Sequence, residues 1–231
     1  MPTLAVPRRF NGPPRSGNGG WVCGALAATL AGEGLGRPVT VTLRMPPPLE
    51  VPLEVAASER GAVLSHEGRT VAEAVEGATT PDPVAPVTPA EARAAEASYA
   101  GLRHHPFPGC FVCGTGREPG DGLRIFPGKV ADGRVAATWT PTESTVPIAW
   151  AATDCPSAWA TDLEERPLVV GRMTVQVHRL PRVDEPHVVV GEVRGTEGRK
   201  TFTAATLYGP GDEVVAAAEH IWFAIDPEDF A

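Results

Sequence analysis

Basic residues are scarce in this sequence, and long apolar runs are missing. Only 20 Lys and Arg accompany 28 Asp and Glu, which gives a formal net charge of −8. Nucleic-acid binding depends on clustered Lys and Arg that neutralise phosphates, so we expect no nucleic-acid partner. No stretch approaches the roughly 20 apolar residues that span a bilayer, and residues 1–10 lack the apolar run of a signal peptide. We therefore expect no membrane partner and a cytoplasmic location.

Cysteine is also rare, and the sequence has four: Cys23, Cys110, Cys113 and Cys155. In a reducing compartment such scattered cysteines should be free thiols. Cys110 and Cys113, with His104 and His105 just upstream, are the residue types of a zinc site. No second CxxC or HxxxH lies nearby, and adjacent histidines do not easily ligate one ion. The favoured interpretation is therefore a cysteine pair that binds no metal, with zinc as the alternative. No cofactor is expected, and Cys155 is assigned to packing.

Glycine and proline are abundant, with 25 of each, and many of them separate short β-like runs. Residues 1–80 contain an Ala- and Leu-rich segment without proline, which predicts a buried helix over Trp21–Ala31. The strands predicted in the same region are Val39–Arg44, Leu49–Ser58, Gly61–His66 and Arg69–Glu76. Residues 81–105 form a proline-rich linker. In it Thr88-Pro89-Ala90-Glu91 has the composition of a capping box, which predicts an exposed connecting helix as far as about Tyr99.

Residues 106–231 repeat the first region more fully. A helix rich in Ala and Trp is predicted over Ile148–Trp159. The predicted strands are Leu123–Phe126, Arg134–Trp139, Leu168–Arg179, His187–Gly195, Lys200–Tyr208 and Val214–Ile225. The order of elements agrees between the two regions, and Thr40–Arg44 followed by Pro46 parallels Thr174–His178 followed by Pro181. A duplicated unit, in which one helix lies across an antiparallel sheet, is an α+β architecture.

Three local motifs resemble those of one known family. Cys110-Phe111-Val112-Cys113-Gly114, followed by Gly122-Leu123-Arg124, is similar to the CFxCG…GL segment of PaaI-type thioesterase-like proteins in the hot-dog superfamily. Ser16-Gly17-Asn18-Gly19-Gly20 resembles their HGG helix start, with Asn18 in the place of the usual His. Ala151-Ala152-Thr153-Asp154 resembles the stretch of their central helix that holds the catalytic acid.

This resemblance implies a fold and an activity. The fold would be two fused hot-dog domains, each a curved antiparallel sheet wrapped around a central helix. The activity would be hydrolysis of an acyl-CoA or a related acyl thioester at a site between the two units, with Asp154 as the catalytic acid. Such a pair within one chain is compatible with a monomer or a further homo-oligomer. Two alternatives stay open: a non-catalytic acyl-CoA- or lipid-binding protein, and a hydratase or dehydratase, which usually needs a His near the acid.

Comparison of the two predicted helices indicates one competent site. When Gly19-Gly20 is aligned with Val146-Pro147, Asp154 corresponds to Ala27 in the first half. One composite site would combine the two glycines with Asp154, and the other would combine Pro147 with Ala27. Backbone N–H groups at a helix N-terminus stabilise an oxyanion, whereas proline offers no N–H and alanine offers no carboxylate. Only the combination of Gly19-Gly20 with Asp154 has both the backbone N–H groups and the carboxylate.

The remaining site residues are assigned from their positions. Asp154 would act as general base on water or as a nucleophile that forms an anhydride, and Asn18 would orient the water or the thioester carbonyl. Ser16 would cap the helix or touch the substrate. A competing interpretation makes Asp154 the N-cap of a later helix, because Pro156 follows it closely. Three residues are predicted either as core or structural residues or as walls of the acyl pocket: Trp21, Trp150 and His178.

Overall fold

The computed structural model describes residues 2–30 and 34–226 of the chain. Within these residues eleven strands form one antiparallel sheet: β1 (Thr3–Ala5), β2 (Val39–Leu43), β3 (Pro52–Ser58), β4 (Gly61–His66), β5 (Arg69–Glu76), β6 (Gly128–Lys129), β7 (Val135–Trp139), β8 (Leu168–Val177), β9 (His187–Glu197), β10 (Lys200–Tyr208) and β11 (Val214–Ala224). Their order across the sheet is β1-β3-β4-β5-β2-β8-β11-β10-β9-β7-β6. The described α-helices are α1 (Gly19–Ala27), α2 (Pro89–Ala95) and α3 (Val146–Ala158), none long and apolar enough to cross a membrane.

The two halves of the sheet join where β2 pairs with β8. Thr40 lies opposite Thr174 in this antiparallel pair, and the two hydroxyl oxygens lie 2.9 Å apart in a hydrogen bond. The sequence comparison makes these two threonines equivalent, so their pairing places a local pseudo-two-fold axis between them. Each half then contributes one part of the sheet and one long buried helix, which is the duplicated α+β unit expected from the sequence.

Helices α1 and α3 pack against each other and against one face of the sheet. Small residues let the two helix backbones approach closely. A Cβ atom added at Gly20 would lie 2.5 Å from the Asp154 Cβ, and one at Gly24 would lie 2.7 Å from the Pro147 Cα. The two helices therefore run antiparallel. Both are buried on nearly every side because their composition is almost entirely apolar.

The proline-rich linker covers the other face of the sheet in the C-terminal half. The Val84 N–H donates to the Thr206 hydroxyl at 2.8 Å, and the Tyr208 hydroxyl donates to the Val84 carbonyl. These bonds hold the linker over a small apolar cluster of linker and strand residues: Val84, Val87, Ala92, Ala136, Val188, Val190, Ala204 and Tyr208. The linker thus shields one face of the sheet from water in addition to connecting the halves. The division into residues 1–80, 81–105 and 106–231 stays a prediction.

The predicted helix of the linker is present but shorter and less exposed than expected. The capping box of Thr88 and Glu91 is confirmed, because each side chain accepts the backbone N–H of the other residue. The α-helix ends at Ala95 and tightens into a 3₁₀ turn over Glu96–Ser98, rather than continuing to Tyr99. One side of the helix is buried against the sheet, since Ala92 and Ala95 have almost no exposed surface.

Several predicted boundaries change in the structure. Helix α1 begins at Gly19 because Asn18 caps it, and it ends at Ala27, while the predicted last residue, Ala31, lies outside the described residues. The prediction of a strand over Leu123–Phe126 is wrong. The N–H groups of Leu123 and Ile125 donate to the carbonyls of Phe111 and Val112 instead. This segment therefore pairs with the cysteine loop rather than with the sheet. The other predicted strands are confirmed, with unchanged bounds for Gly61–His66, Arg69–Glu76 and Lys200–Tyr208 and shifted ends for the rest.

The competing interpretation of Asp154 as an N-cap is wrong. Helix α3 begins after Thr145, whose hydroxyl accepts the Ile148 N–H, and it continues through Asp154 and Pro156 to Ala158. Pro156 lies in the last turn, so the hydrogen bond lost with its missing N–H affects only the end of the helix. The Asp154 side chain is consequently held by a continuous helix.

The close helix contact can be tested at Gly24. In Gly24→Ala the added methyl would meet Pro147 and Trp150 at 2.7–2.9 Å, so overpacking should lower the free energy of unfolding by about 1–3 kcal/mol. This loss should exceed the gain of about 1 kcal/mol that alanine brings to a helix interior. Gly195→Ala in β9 is the matched control, because a Cβ there meets nothing within 4 Å. Thermal melts that show equal midpoints for the two variants would contradict the described packing.

Candidate active site

Asp154 projects from the middle of α3 toward the N-terminus of α1. Its Oδ2 atom accepts hydrogen bonds from the Gly20 N–H and from the Asn18 side-chain amide, both at 3.0 Å. The Oδ1 atom is also buried, and it has no partner among the described residues. The contact requires glycine at position 20, because a Cβ there would lie 2.5 Å from the Asp154 Cβ. The structure thus brings together Asn18, Gly20 and Asp154, all assigned to one site from the sequence.

The environment of Asp154 shifts the proton affinity of its carboxyl group. Burial raises the pKa of Asp154 to about 7, because the charged form loses its hydration. The hydrogen bonds from Gly20 and Asn18 act in the opposite direction, and the nearby Cys110 sulfur raises the pKa further. A carboxyl group with such a pKa exchanges protons near neutral pH, as a general base or acid must do.

Asn18 links the helix terminus to the carboxylate. It is the N-cap of α1, since its Oδ1 accepts the Trp21 N–H at 2.9 Å, while its Nδ2 donates to Asp154. An amide suits this place because it has both an acceptor and a donor. The alternative assignment of Ser16 as the cap is therefore wrong. Ser16 is buried and lines the adjacent cavity, which is compatible with its predicted contact with the substrate.

Gly19 and Gly20 differ in what their N–H groups do. The Gly20 N–H is already bonded to Asp154, so it is not free to stabilise an oxyanion. The Gly19 N–H donates to no acceptor in the described part of the chain, and Gly19 lines the cavity. Its lack of a side chain allows close contact with β8, because a Cβ would lie 2.2 Å from Val170 Cγ1. Gly19 is therefore the free donor at this helix terminus.

A cavity of about 230 Å³ opens beside the carboxylate. Its walls are largely apolar and come from both halves of the chain, including Leu43, Met45, Phe107, Val170, Trp222 and Phe223. The polar side chains that line it include those of Ser16, Asn18, Asp154 and Arg44. The apolar walls could not be predicted from the sequence, because β2, β8 and β11 become neighbours only when the sheet forms. The one signal in the sequence was the alternation of apolar and polar residues along those strands. It indicates which residues face inward but not which of them surround a cavity.

The three residues predicted as possible acyl-pocket walls lie elsewhere. Trp21 stacks on Phe10 with 4.2 Å between ring centroids. Trp150 is fully buried against Gly24 in the helix contact. His178 is exposed just after β8, where its N–H donates to the Val215 carbonyl. None of the three lines the cavity described above, so the geometry favours the core and structural interpretations that the sequence left open for them.

Three cysteines form a cluster next to Asp154. The sulfur atoms of Cys110, Cys113 and Cys155 all lie within 4.8 Å of one another, and those of Cys110 and Cys155 are 3.7 Å apart. Hydrogen bonds from the other two thiols lower the pKa of Cys110. His105 does not join the cluster, since its ring nitrogens contact the Cys113 carbonyl and the Phe107 N–H. These cysteines are the described residues best able to hold a metal ion.

The position that the pseudo-two-fold axis relates to this site lacks both an N–H donor and a carboxylate. Because the helices are antiparallel, the contact of Gly20 with Asp154 has its counterpart near Pro147 and Ala27. Pro147 lies in the first turn of α3 and has no N–H to donate. Ala27 is completely buried and apolar. The geometry therefore agrees with a single composite site formed by α1 and the middle of α3.

Comparisons with known proteins show the fold. No protein-family model and no curated protein matches the chain. A hot-dog-fold protein of unknown function from Alicyclobacillus acidocaldarius has a TM-score of 0.66 at 12% identity, over 97% of this chain and 93% of its own. The tesB protein of Mycobacterium avium subspecies paratuberculosis has 0.60 at 13%, over 96% and 91%. An acyl-CoA thioesterase II from Mycobacterium marinum has 0.58 at 12%, over 93% and 92%.

These similarities extend over nearly the whole chain, so they cover both halves at once. The predicted fold class, an α+β double hot-dog in which each antiparallel sheet wraps a central helix, is confirmed. At 12–13% identity the likeness concerns the fold. The chemistry of this chain must therefore be argued from its own residues.

The double role of Asn18 predicts a measurable loss of stability. Asn18→Ala removes a helix cap, worth about 1 kcal/mol, and also one of the two bonds to the buried carboxylate, worth about 1–3 kcal/mol. Thr145→Ala is the matched control, because Thr145 caps α3 without bonding to a carboxylate. Chemical denaturation should show a larger loss for Asn18→Ala. Equal losses would mean that the bond to Asp154 contributes nothing to stability.

Proposed function

We propose that this protein hydrolyses the thioester of an acyl-CoA, or of a related acyl thioester, at one composite site between its two halves. The observation that carries the proposal is the position of Asp154. Its carboxylate, supplied by the second half, meets the N-terminus of α1, supplied by the first half, at the edge of an apolar cavity. The name of the acyl-CoA thioesterase II from Mycobacterium marinum, which has a similar fold, supports the same activity.

Asp154 would supply the base or the nucleophile. Two N–H donors hold its Oδ2, and Oδ1 is the carboxylate oxygen left without a hydrogen-bond partner among the described residues. In one route Oδ1 takes a proton from a water molecule while the water oxygen attacks the thioester carbonyl carbon, and that proton passes to the leaving sulfur when the C–S bond breaks. In the other route Oδ1 attacks the carbonyl carbon, the thiolate leaves, and water hydrolyses the resulting anhydride. Both routes regenerate the carboxylate.

The N-terminus of α1 would stabilise the charge that develops on the substrate. Attack on a thioester carbonyl places negative charge on its oxygen, and a free N–H at a helix N-terminus is suited to bind it. Gly19 offers such an N–H at the cavity, whereas Gly20 holds Asp154 in place. The two glycines therefore divide the work that the sequence comparison assigned to both together. Asn18 acts through Asp154, since both ends of its amide are already bonded.

The walls of the cavity favour an acyl group over a polar substituent. Residues from β2, β8 and β11 present aliphatic and aromatic side chains, among them Leu43, Val170 and Phe223. Burying an acyl chain there removes apolar surface from water at roughly 25 cal/mol per Å². No histidine lines this cavity among the described residues. That observation favours hydrolysis over the hydratase or dehydratase alternative, in which a His usually accompanies the acid.

Substitution of the carboxylate tests the proposal. Asp154→Asn should lower kcat for thioester hydrolysis by at least about 100-fold, the usual contribution of a positioned base. The asparagine retains the shape of the side chain and an oxygen that can accept the N–H groups of Gly20 and Asn18. The measurement is thiol release from a panel of acyl-CoAs of increasing chain length, followed with a chromogenic thiol reagent.

The control for this experiment is Asp162→Asn, an exposed aspartate just after α3 that lies apart from the cavity. It should retain the wild-type rate. If Asp154→Asn also retains it, the activity stands and the site is wrong. If wild-type protein binds acyl-CoA without releasing thiol from any member of the panel, the protein is a binding module rather than an enzyme.

The number of sites per chain provides a second test. A non-hydrolysable thioether analogue of acyl-CoA should bind in a ratio of about one per chain in calorimetry, because the pseudo-symmetric position has only Pro147 and Ala27. Val170→Trp should weaken this binding at least tenfold by filling the cavity. Val193→Trp, at an exposed position of β9, is the matched control and should bind as wild type does. Two equivalent sites per chain would contradict the composite-site proposal.

A further inference from the structure

The cysteine cluster has the dimensions of a metal–thiolate site. With metal–sulfur bonds of about 2.3 Å, two ligands of a tetrahedral zinc ion lie roughly 3.8 Å apart. The Cys110 and Cys155 sulfurs are 3.7 Å apart, and Cys113 lies within 4.8 Å of both. Two of the cysteines belong to one short loop, and the third belongs to α3, 42 residues beyond Cys113 in the sequence. Only the tertiary structure brings the three together.

The groups around the cluster are hydrogen-bond donors, which is the environment that thiolates need. The thiols of Cys110 and Cys155 are in hydrogen-bond contact with each other. The Asn18 amide nitrogen lies 3.9 Å from both the Cys110 and the Cys155 sulfur. Donors that converge on sulfur atoms in this way stabilise and orient metal-bound thiolates.

A buried tryptophan gives an independent indication. The indole N–H of Trp159 has no hydrogen-bond partner among the described residues, although Trp159 is only 3% exposed. Its ring packs against Tyr99 and His105, which both contact the carbonyl of Cys113. An orphaned buried N–H is costly, and a negatively charged metal-bound sulfur is the acceptor that would satisfy it.

We infer that Cys110, Cys113 and Cys155 bind one thiophilic divalent metal ion of the Zn²⁺ type. The thiols would lose their protons to solvent as the three metal–sulfur bonds form. The described residues add no fourth cysteine, imidazole or carboxylate to the cluster, so a water molecule would complete the tetrahedron. It would come from the cavity, which Cys110 and Cys155 line. This reverses the interpretation favoured from the sequence, in which the cysteine pair binds no metal.

The metal ion would fasten the cysteine loop to α3 beside the catalytic carboxylate. Cys155 follows Asp154 directly, and Asn18 contacts both the carboxylate and two of the sulfurs. Its role would be structural, since the thioester chemistry proposed above is complete without it. Removing the ion should therefore lower the melting temperature of the protein, whether or not the protein hydrolyses thioesters.

Metal analysis of the purified chain tests this inference. Protein prepared under reducing conditions with zinc in the growth medium should contain about one zinc ion per chain, as measured by elemental mass spectrometry. Replacement of zinc by Co²⁺ should produce sulfur-to-cobalt charge-transfer bands and the visible bands of a tetrahedral ion. Cys113→Ala and Cys155→Ala should each weaken Co²⁺ binding at least tenfold in a titration.

Cys23→Ala is the matched control, because Cys23 is also a buried free cysteine but belongs to α1 and lies outside the cluster. It should retain one zinc ion per chain and the cobalt spectrum. The inference is overturned if reduced wild-type protein contains no zinc and takes up no Co²⁺. It is also overturned if Cys23→Ala loses metal as the cluster variants do, or if Cys110 and Cys155 form a disulfide in the native protein. None of these measurements depends on the proposed hydrolysis.

Discussion

The contact between α1 and α3 is the constraint on which the site depends. At Gly20 the helices approach so closely that no side chain fits beside Asp154, and this approach lets a backbone N–H meet the carboxylate. Burying a carboxylate is costly unless hydrogen bonds compensate. Gly20 and Asn18 supply two, yet burial still raises the pKa of Asp154 to about 7. The contact that brings α1 and α3 together therefore also influences the pKa of the proposed base.

Fusion of the two halves explains why they differ. Thr40 and Thr174 mark a local two-fold relation in the sheet, but the helix contacts on either side of that relation are chemically unlike. Where the first contact pairs Gly20 with Asp154, the counterpart positions hold Pro147 and the buried Ala27, neither of which carries a charge. A fused pair can concentrate its polar groups at one position because each half is encoded separately.

Asn18 connects the parts of this region. Asn18 stands where the family that the sequence resembles usually has His. In the structure the amide caps α1, holds Asp154 and approaches the sulfurs of Cys110 and Cys155. A single neutral side chain with one acceptor and two donor hydrogens serves all of these contacts.

The sequence by itself determined the element order, the duplicated α+β plan and the pairing of Gly20 with Asp154. These follow from local composition, from the capping box of Thr88 and Glu91, and from alignment of two similar segments together with the family resemblance. Tertiary structure alone decided which N–H remains free, which strands wall the cavity and that Cys155 joins Cys110 and Cys113. Those features depend on contacts between residues far apart in the chain, and neither periodicity nor local spacing encodes the distance between two side chains.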